Sequence, residues 1–182
     1  AQSRQRPGTG ETGEGLSFDE TMYPYYGMLD TDLKKLYCQI YANANAVNQT
    51  FAPVAETTPG GLKNAFTAVS NDHPELFWMN TAYSYTYQAN GSIAAISLQF
   101  NATASQLAQS RSLFEQNAQT LLTAAQNAGS VYEKEKAIHD AVVQKVAYNT
   151  GADLSQSAYS SIVNGSTVCA GYAKAFQYLM QK

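Results

Sequence analysis

The stretch that most restricts the fold runs from Tyr83 to Phe100. Tyr83, Tyr85 and Tyr87 alternate with Ser84 and Thr86, Asn90-Gly91 follows, and Ile93 to Phe100 is again rich in strand-forming residues. A period of two on either side of Asn-Gly predicts a β-hairpin over 82–100, with a two-residue turn in which both central residues take positive φ. The three tyrosines then share one face; such a ladder can stack on sugars or proline-rich peptides, but rings in that arrangement more often cover a sheet face against a helix, and that is the role expected. A hairpin alone is marginal in water, so the rest of the chain must supply its cover.

The flanking segments read as helices. Asp30 or Thr31 can cap a run in which Leu33, Leu36, Tyr37, Ile40, Tyr41, Ala44 and Val47 recur at three- and four-residue steps. Thr58-Pro59 opens a second helix with Leu62, Ala65, Phe66 and Val69 on its apolar edge, ending near Asn71. After the hairpin, Thr103 with Gln106 reads as a capping box for a long helix carrying Leu107, Phe114, Ala118, Leu121, Ala125 and Ala128, with a stop at Gly129. Ser130 with Glu133 is a second box, and Ile138, Ala141, Val142 and Val146 face inward beyond it. The fold class is therefore α+β, helix-rich with a Tyr-rich hairpin. Three regions are expected: a flexible spacer over 1–24, an α+β region over 25–129, and a further helical region over 130–182.

Composition narrows function by exclusion. A net charge of −3 with 14% charged residues gives no basic field for a phosphate backbone, so nucleic acid is not an expected partner. No stretch has the apolar length of a membrane span. No phosphate-binding glycine loop and no His/Cys cluster with metal spacing occurs, so neither cofactor nor metal is expected. The many Asn, Gln, Ser and Thr against few charges are common on secreted and cell-surface proteins, so an extracytoplasmic location is expected. The Asn-X-Ser/Thr triplets at Asn48, Asn90, Asn101 and Asn164 arise readily by chance in such a chain and decide nothing.

Four residues invite chemistry. Cys169 follows a glycine-marked loop, Asn164-Gly-Ser-Thr-Val, and opens a helix. Unpaired N–H groups and the partial positive charge of a first helical turn favour a thiolate, so Cys169 is the candidate nucleophile. Cys38 lies in mid-helix, where packing is the expected role, and the two cysteines do not resemble a disulfide framework. His73, beside Pro74 in Asp72-His-Pro-Glu-Leu-Phe-Trp78, is expected to be a hydrogen-bonded turn residue rather than a ligand or base. His139 is expected to serve as a packing or capping partner on its helix.

These residues resemble a family. Tyr132-Glu-Lys-Glu-Lys-Ala-Ile-His-Asp140, Val146-Ala-Tyr-Asn149, Ser157-Ala-Tyr159 and Asn164-Gly-Ser-Thr-Val-Cys-Ala-Gly-Tyr-Ala-Lys-Ala-Phe176 are similar, in order and spacing, to the first half of a bacterial transglutaminase-like domain. Asp72 to Trp78 and the hairpin resemble the region preceding that domain in exported bacterial proteins. The resemblance implies a papain-like scaffold over 130–182, lacking most of its sheet. It also implies Cys169 as nucleophile of a Cys-His-Asp triad, and acyl transfer or hydrolysis of protein or peptide amides through a thioester. The family's His and Asp lie downstream of the cysteine helix, and the sequence ends at Lys182 before either. The expectation is thus a chain truncated after the nucleophile helix and inactive as it stands. Its Cys169 helix would expose Tyr172, Phe176, Leu179 and Met180, a face suited to self-association. The alternative is a non-catalytic surface module that keeps the fold and binds a partner.

Overall fold

The computed structural model describes residues 7–182 and has an α+β architecture that divides into two compact units, Ala1–Ala104 and Ser105–Lys182. The first holds α1 (Pro24–Gly27), α2 (Thr31–Asn45), β1 (Thr50–Phe51), α3 (Pro59–Asp72), β2 (Met79–Tyr87) and β3 (Ile93–Phe100). The second holds α4 (Leu107–Leu122), α5 (Val131–Lys145), β4 (Ala147–Tyr148), α6 (Ala158–Ile162), β5 (Ser166–Thr167) and α7 (Cys169–Met180). The division therefore falls before α4 and not at 129/130, because Phe114, Ala118 and Leu121 of α4 are buried with the later helices.

In the first unit the caps form as their residue types dictate. The Asp30 carboxylate accepts from Leu33 N–H at 2.9 Å, and the Thr58 hydroxyl from Gly61 N–H at 3.1 Å. Helices α2 and α3 bury Leu36, Tyr37, Ile40, Leu62, Phe66 and Val69. The sheet has order β1-β3-β2 and is antiparallel throughout, with β2 at an edge. Tyr83, Tyr85 and Tyr87 oppose Leu98, Ile96 and Ile93, which fixes the tyrosine face as the core side of β3.

Two hairpin expectations change. The turn is a three-residue loop: Gly91 N–H donates to Gln88 O at 2.9 Å, Gln88 N–H to Ser92 O at 2.8 Å, and Gly91 alone has positive φ (83°). Asn90 is held out of the left-handed region because its side-chain carbonyl accepts from both N–H and hydroxyl of Ser92. Moreover, only the Tyr83 ring covers the sheet against a helix, 4.4 Å from Phe66 of α3. Tyr85 and Tyr87 extend past α3 and are 41% and 71% exposed.

From Gly8 onward the residues expected as spacer have partners. Ala52 N–H donates to Gly8 O, Gln39 Nε2 to Thr9 O, and Asn43 exchanges hydrogen bonds with the backbone of Glu11. Phe18 then inserts its ring edgewise among Tyr23, Tyr26, Tyr37, Tyr41 and His73. Polar side chains on one flank of α2 hold this segment, and a polar segment that pairs with such groups has no need of an apolar pattern. Residues 1–6 lie outside the described residues.

The second unit is built on α4, α5, α6 and α7 around Phe114, Leu121, Ile138, Val142, Ile162 and Leu179. Ser130 caps α5 by accepting from Glu133 N–H, while the Glu133 carboxylate bonds Gly129 N–H instead of closing the box on Ser130. Thr103 and Gln106 form no box at α4. Asn101 accepts from the Thr103 N–H and hydroxyl, and Ala102–Gln106 winds as a 3-10 turn into a helix whose N-cap, Gln106, makes no side-chain capping bond. That helix ends at Leu122 and tightens into a second 3-10 turn, Thr123–Ala125, so it stops short of Gly129.

Candidate active site

Cys169 is the first residue of α7 and its thiol is exposed. What holds it there begins in the preceding loop. Gly165 takes positive φ (64°) and lets β5 turn in beside β4, with Ala147 N–H donating to Gly165 O and Asn149 N–H to Thr167 O in a parallel pair. Thr167, fully buried, ties β5 to the loop before α6: its hydroxyl lies 3.0 Å from Ser155 O and 2.5 Å from Ser160 Oγ. Gly171, in the first turn of α7, makes this closeness possible. A Cβ there would sit 1.9 Å from Thr167 Oγ1 and 2.9 and 3.0 Å from the carbonyls of Ser155 and Ser157. The start of α7 is thus seated directly on a backbone loop, and Cys169, two residues earlier, is turned outward.

Val168, the N-cap, offers no side-chain acceptor to the first turn of α7. The N–H groups there remain donors toward whatever lies beside the Cys169 sulfur. Among the described residues none hydrogen-bonds that thiol. Lys174 carries the nearest cation on α7, and burial holds its ammonium below the usual lysine range. Five residues on, it points about 140° round the helix from Cys169 and does not face the sulfur.

A groove of about 510 Å³ runs from the same face. Tyr172, Ala173 and Phe176 line it from α7, with Val142, Val143 and His139 from α5 and Tyr148 from β4. Cys169, Tyr172, Ala173 and Phe176 follow the i, i+3, i+4, i+7 spacing of one helix face, so Cys169 lies on the groove's face of α7, about one turn before its lining begins. The expected bare face of α7 is only partly bare. Tyr172 and Phe176 are half-buried along the groove, but Leu179 is fully buried because α7 packs through Gly171, Ala175, Tyr178 and Leu179.

The other sequence candidates lie elsewhere. Cys38 is buried on α2, its Sγ 3.5 Å from Leu16 O, and burial pushes its thiol up. Both cysteines are free. His139 is exposed on α5 at the side of the groove, with Asp140 at 3.1 Å from its Nδ1. The Tyr172 hydroxyl donates to Val146 O, which sets the start of α7 against the end of α5. His139, seven residues earlier on α5, lines the groove and makes its side-chain bond to Asp140, not to Cys169. His73 belongs to the first unit, buried at the end of α3. Its Nε2 is 2.8 Å from the Tyr37 hydroxyl, and its Nδ1 is 2.6 Å from Glu75.

Sequence reading missed the support of the site more than the site itself. Thr167, Ser155 and Gly171 fix the Cys169 turn; Thr167 and Gly171 lie in the Asn164–Phe176 run, but the one local hint of their packing was a glycine inside a helical pattern. Val143 of the groove carried no signal and Tyr148 only its place in the Val146–Asn149 run, since exposed apolar residues are ordinary until tertiary structure lines them up. Among the described residues no group of three His, Cys, Asp or Glu side chains could hold a metal ion, and no helix is long and apolar enough to cross a membrane. The chain matches no protein-family model and no curated protein sequence.

Proposed function

We propose that Cys169 is the nucleophile of an extracytoplasmic, transglutaminase-like cysteine enzyme that transfers or hydrolyses acyl groups of protein or peptide amides, in a papain-like arrangement. The observation that carries the reading is an exposed cysteine on the first residue of a twelve-residue helix, on the helix face that lines an apolar groove from Tyr172 onward. In this scheme the groove holds the apolar part of the acyl donor. The thiolate adds to the amide carbonyl, the first-turn N–H groups of α7 stabilise the oxyanion, and the amine leaves as the thioester forms. Water or a second amine then releases the acyl group. The reaction needs a general base to take the thiol proton and return it to the amine. His139 bonds Asp140 and His73 is held by Tyr37 and Glu75, so the reading requires a base that is not hydrogen-bonded to Cys169 in this arrangement.

A direct test is acylation by an activated ester, followed by intact mass and peptide mapping, with Cys169→Ala as control. The expected result is a single thioester at Cys169, formed faster than on an unstructured cysteine peptide at the same pH. Acylation no faster than that peptide would reject the nucleophile. One observation favours a second reading, a surface module that binds through the same groove without chemistry: no described residue hydrogen-bonds the Cys169 thiol. That reading predicts peptide binding unchanged in Cys169→Ala and no acyl adduct.

A further inference from the structure

The outer edge of β2 is built for pairing with a strand. Leu98 N–H donates to Gln49 O at 2.8 Å, so Leu98 and Ile96 direct their backbone groups to the β1 side of β3, and Ser97 and Ala95 direct theirs to β2. Their partners Ser84 and Thr86 therefore point inward, as Gln88 does in donating to Ser92 O. By alternation the N–H and C=O groups of Tyr83, Tyr85 and Tyr87 point outward, on the side of β2 where the sheet has no further strand.

Edge strands are ordinarily blunted by a charge or a proline. From Met79 to Gln88 there is neither. The breaks in register with β3 fall at Met79/Tyr83 and Thr86/Tyr87, so the run between them is regular. The order Tyr83-Ser84-Tyr85-Thr86-Tyr87 also reads alike in both directions by residue character: aromatic, hydroxyl, aromatic, hydroxyl, aromatic. An antiparallel partner strand with the same sequence meets it face to face, which a strand of arbitrary sequence does not.

We propose that β2 pairs antiparallel with β2 of a second copy of this chain, about a twofold axis through Tyr85. In that register Tyr85 opposes Tyr85 and Tyr83 opposes Tyr87, and each opposed pair exchanges two backbone hydrogen bonds through the outward groups. Tyrosine stacks against tyrosine on one face, and Ser84 against Thr86 on the other. Two three-stranded sheets become one continuous sheet.

Sedimentation equilibrium of the whole chain tests this with two variants. Tyr85→Pro removes an outward N–H that β3 does not use, a position where an edge strand tolerates proline. Tyr85→Lys places like charges on the axis. Each is expected to raise the dimer dissociation constant about tenfold or more, with circular dichroism unchanged. In a Cys169→Ser background, Tyr85→Cys is expected to form an intermolecular disulfide on mild oxidation. Opposed hydrogen-bonded residues bring Cα atoms about 5.5 Å apart, within disulfide span. Thr86→Cys, which opposes residue 84, is expected to remain unlinked. A wild-type chain that is monomeric up to millimolar concentration overturns the proposal. So does a dimer that both Tyr85 variants leave intact, or one that Tyr148→Glu in the α5–α7 groove abolishes instead.

Discussion

Replacing Gly171 by alanine sets two effects of opposite sign against each other, and the geometry decides between them. Alanine in a helix is favoured over glycine by about 1 kcal/mol, so on propensity alone Gly171→Ala stabilises α7. The new Cβ, however, falls 1.9 Å from Thr167 Oγ1 and 2.9 and 3.0 Å from two backbone carbonyls. Thr167 is fully buried and cannot swing into solvent, and moving its hydroxyl breaks the bonds to Ser155 O and Ser160 Oγ. Overpacking of this kind costs about 1–3 kcal/mol, and a buried group left without its partner about another 1–3. The net expectation is a loss of about 1–5 kcal/mol, measured by urea unfolding with the slope checked for constancy. A double-mutant cycle sharpens the test. In a Thr167→Ala background the closest overlap is gone, so Gly171→Ala should cost about 1–3 kcal/mol less than it does in the wild type. If Gly171→Ala is neutral or stabilising in the wild type, α7 is not seated on the loop and the account of how Cys169 is presented fails.

Three further outcomes are expected. Under native conditions iodoacetamide should modify Cys169 at least tenfold faster than Cys38, because one thiol is exposed and the other is buried with its ionisation pushed up; peptide mapping over time reads the ratio, and equal rates would contradict the burial. Asp72→Ala should destabilise by about 2–4 kcal/mol, since the buried carboxylate accepts from Tyr25 N–H, Tyr26 N–H and the Tyr37 hydroxyl. Hydrogen exchange at the Tyr26 amide should accelerate with it, and retained protection there would show the bond to be dispensable. Stability should also fall at alkaline pH. The Tyr37 hydroxyl is raised far above its ordinary value, first by burial and then by the charge of Asp72 and the bond to it, so the folded state keeps a proton that the unfolded chain releases. That contribution is complete below about pH 10 and is lost above it at about 1.4 kcal/mol per pH unit, with Cys38 adding the same sense of change from about pH 8.5. Urea midpoints between pH 7 and 11 measure this, and a flat profile above pH 9 would refute it.

Element types and helix starts were legible because they depend on neighbours in sequence. Asp30, Thr58 and Ser130 each cap the helix they precede through an N–H three residues on, a bond no distant residue is needed to make. The position of Cys169 at a helix start was legible for the same reason. Where a local signal failed, a nearby competitor had taken the group: Ser92 claims the side chain of Asn90 and reshapes the hairpin turn, and Asn101 claims Thr103 and replaces a capping box with a 3-10 turn. The docking of Gly8 to Phe18 was illegible, since its polar residues become structural only through Gln39 and Asn43 of α2.

The sequence by itself thus determined an α+β chain, the presence of its hairpin though not its start at Met79, the caps of three of its helices and a cysteine on the first residue of a helix, all of them consequences of spacing within a few residues. Tertiary structure alone decided that Gly171 is pressed onto Ser155 and Ser157, that Tyr148 and Val143 line a groove with Tyr172 and Phe176 of the Cys169 helix, and that Tyr85 and Tyr87 pass beyond the cover of α3. Those properties depend on which surfaces meet across long separations in the chain, and a pattern that repeats every two or every 3.6 residues carries no record of that meeting.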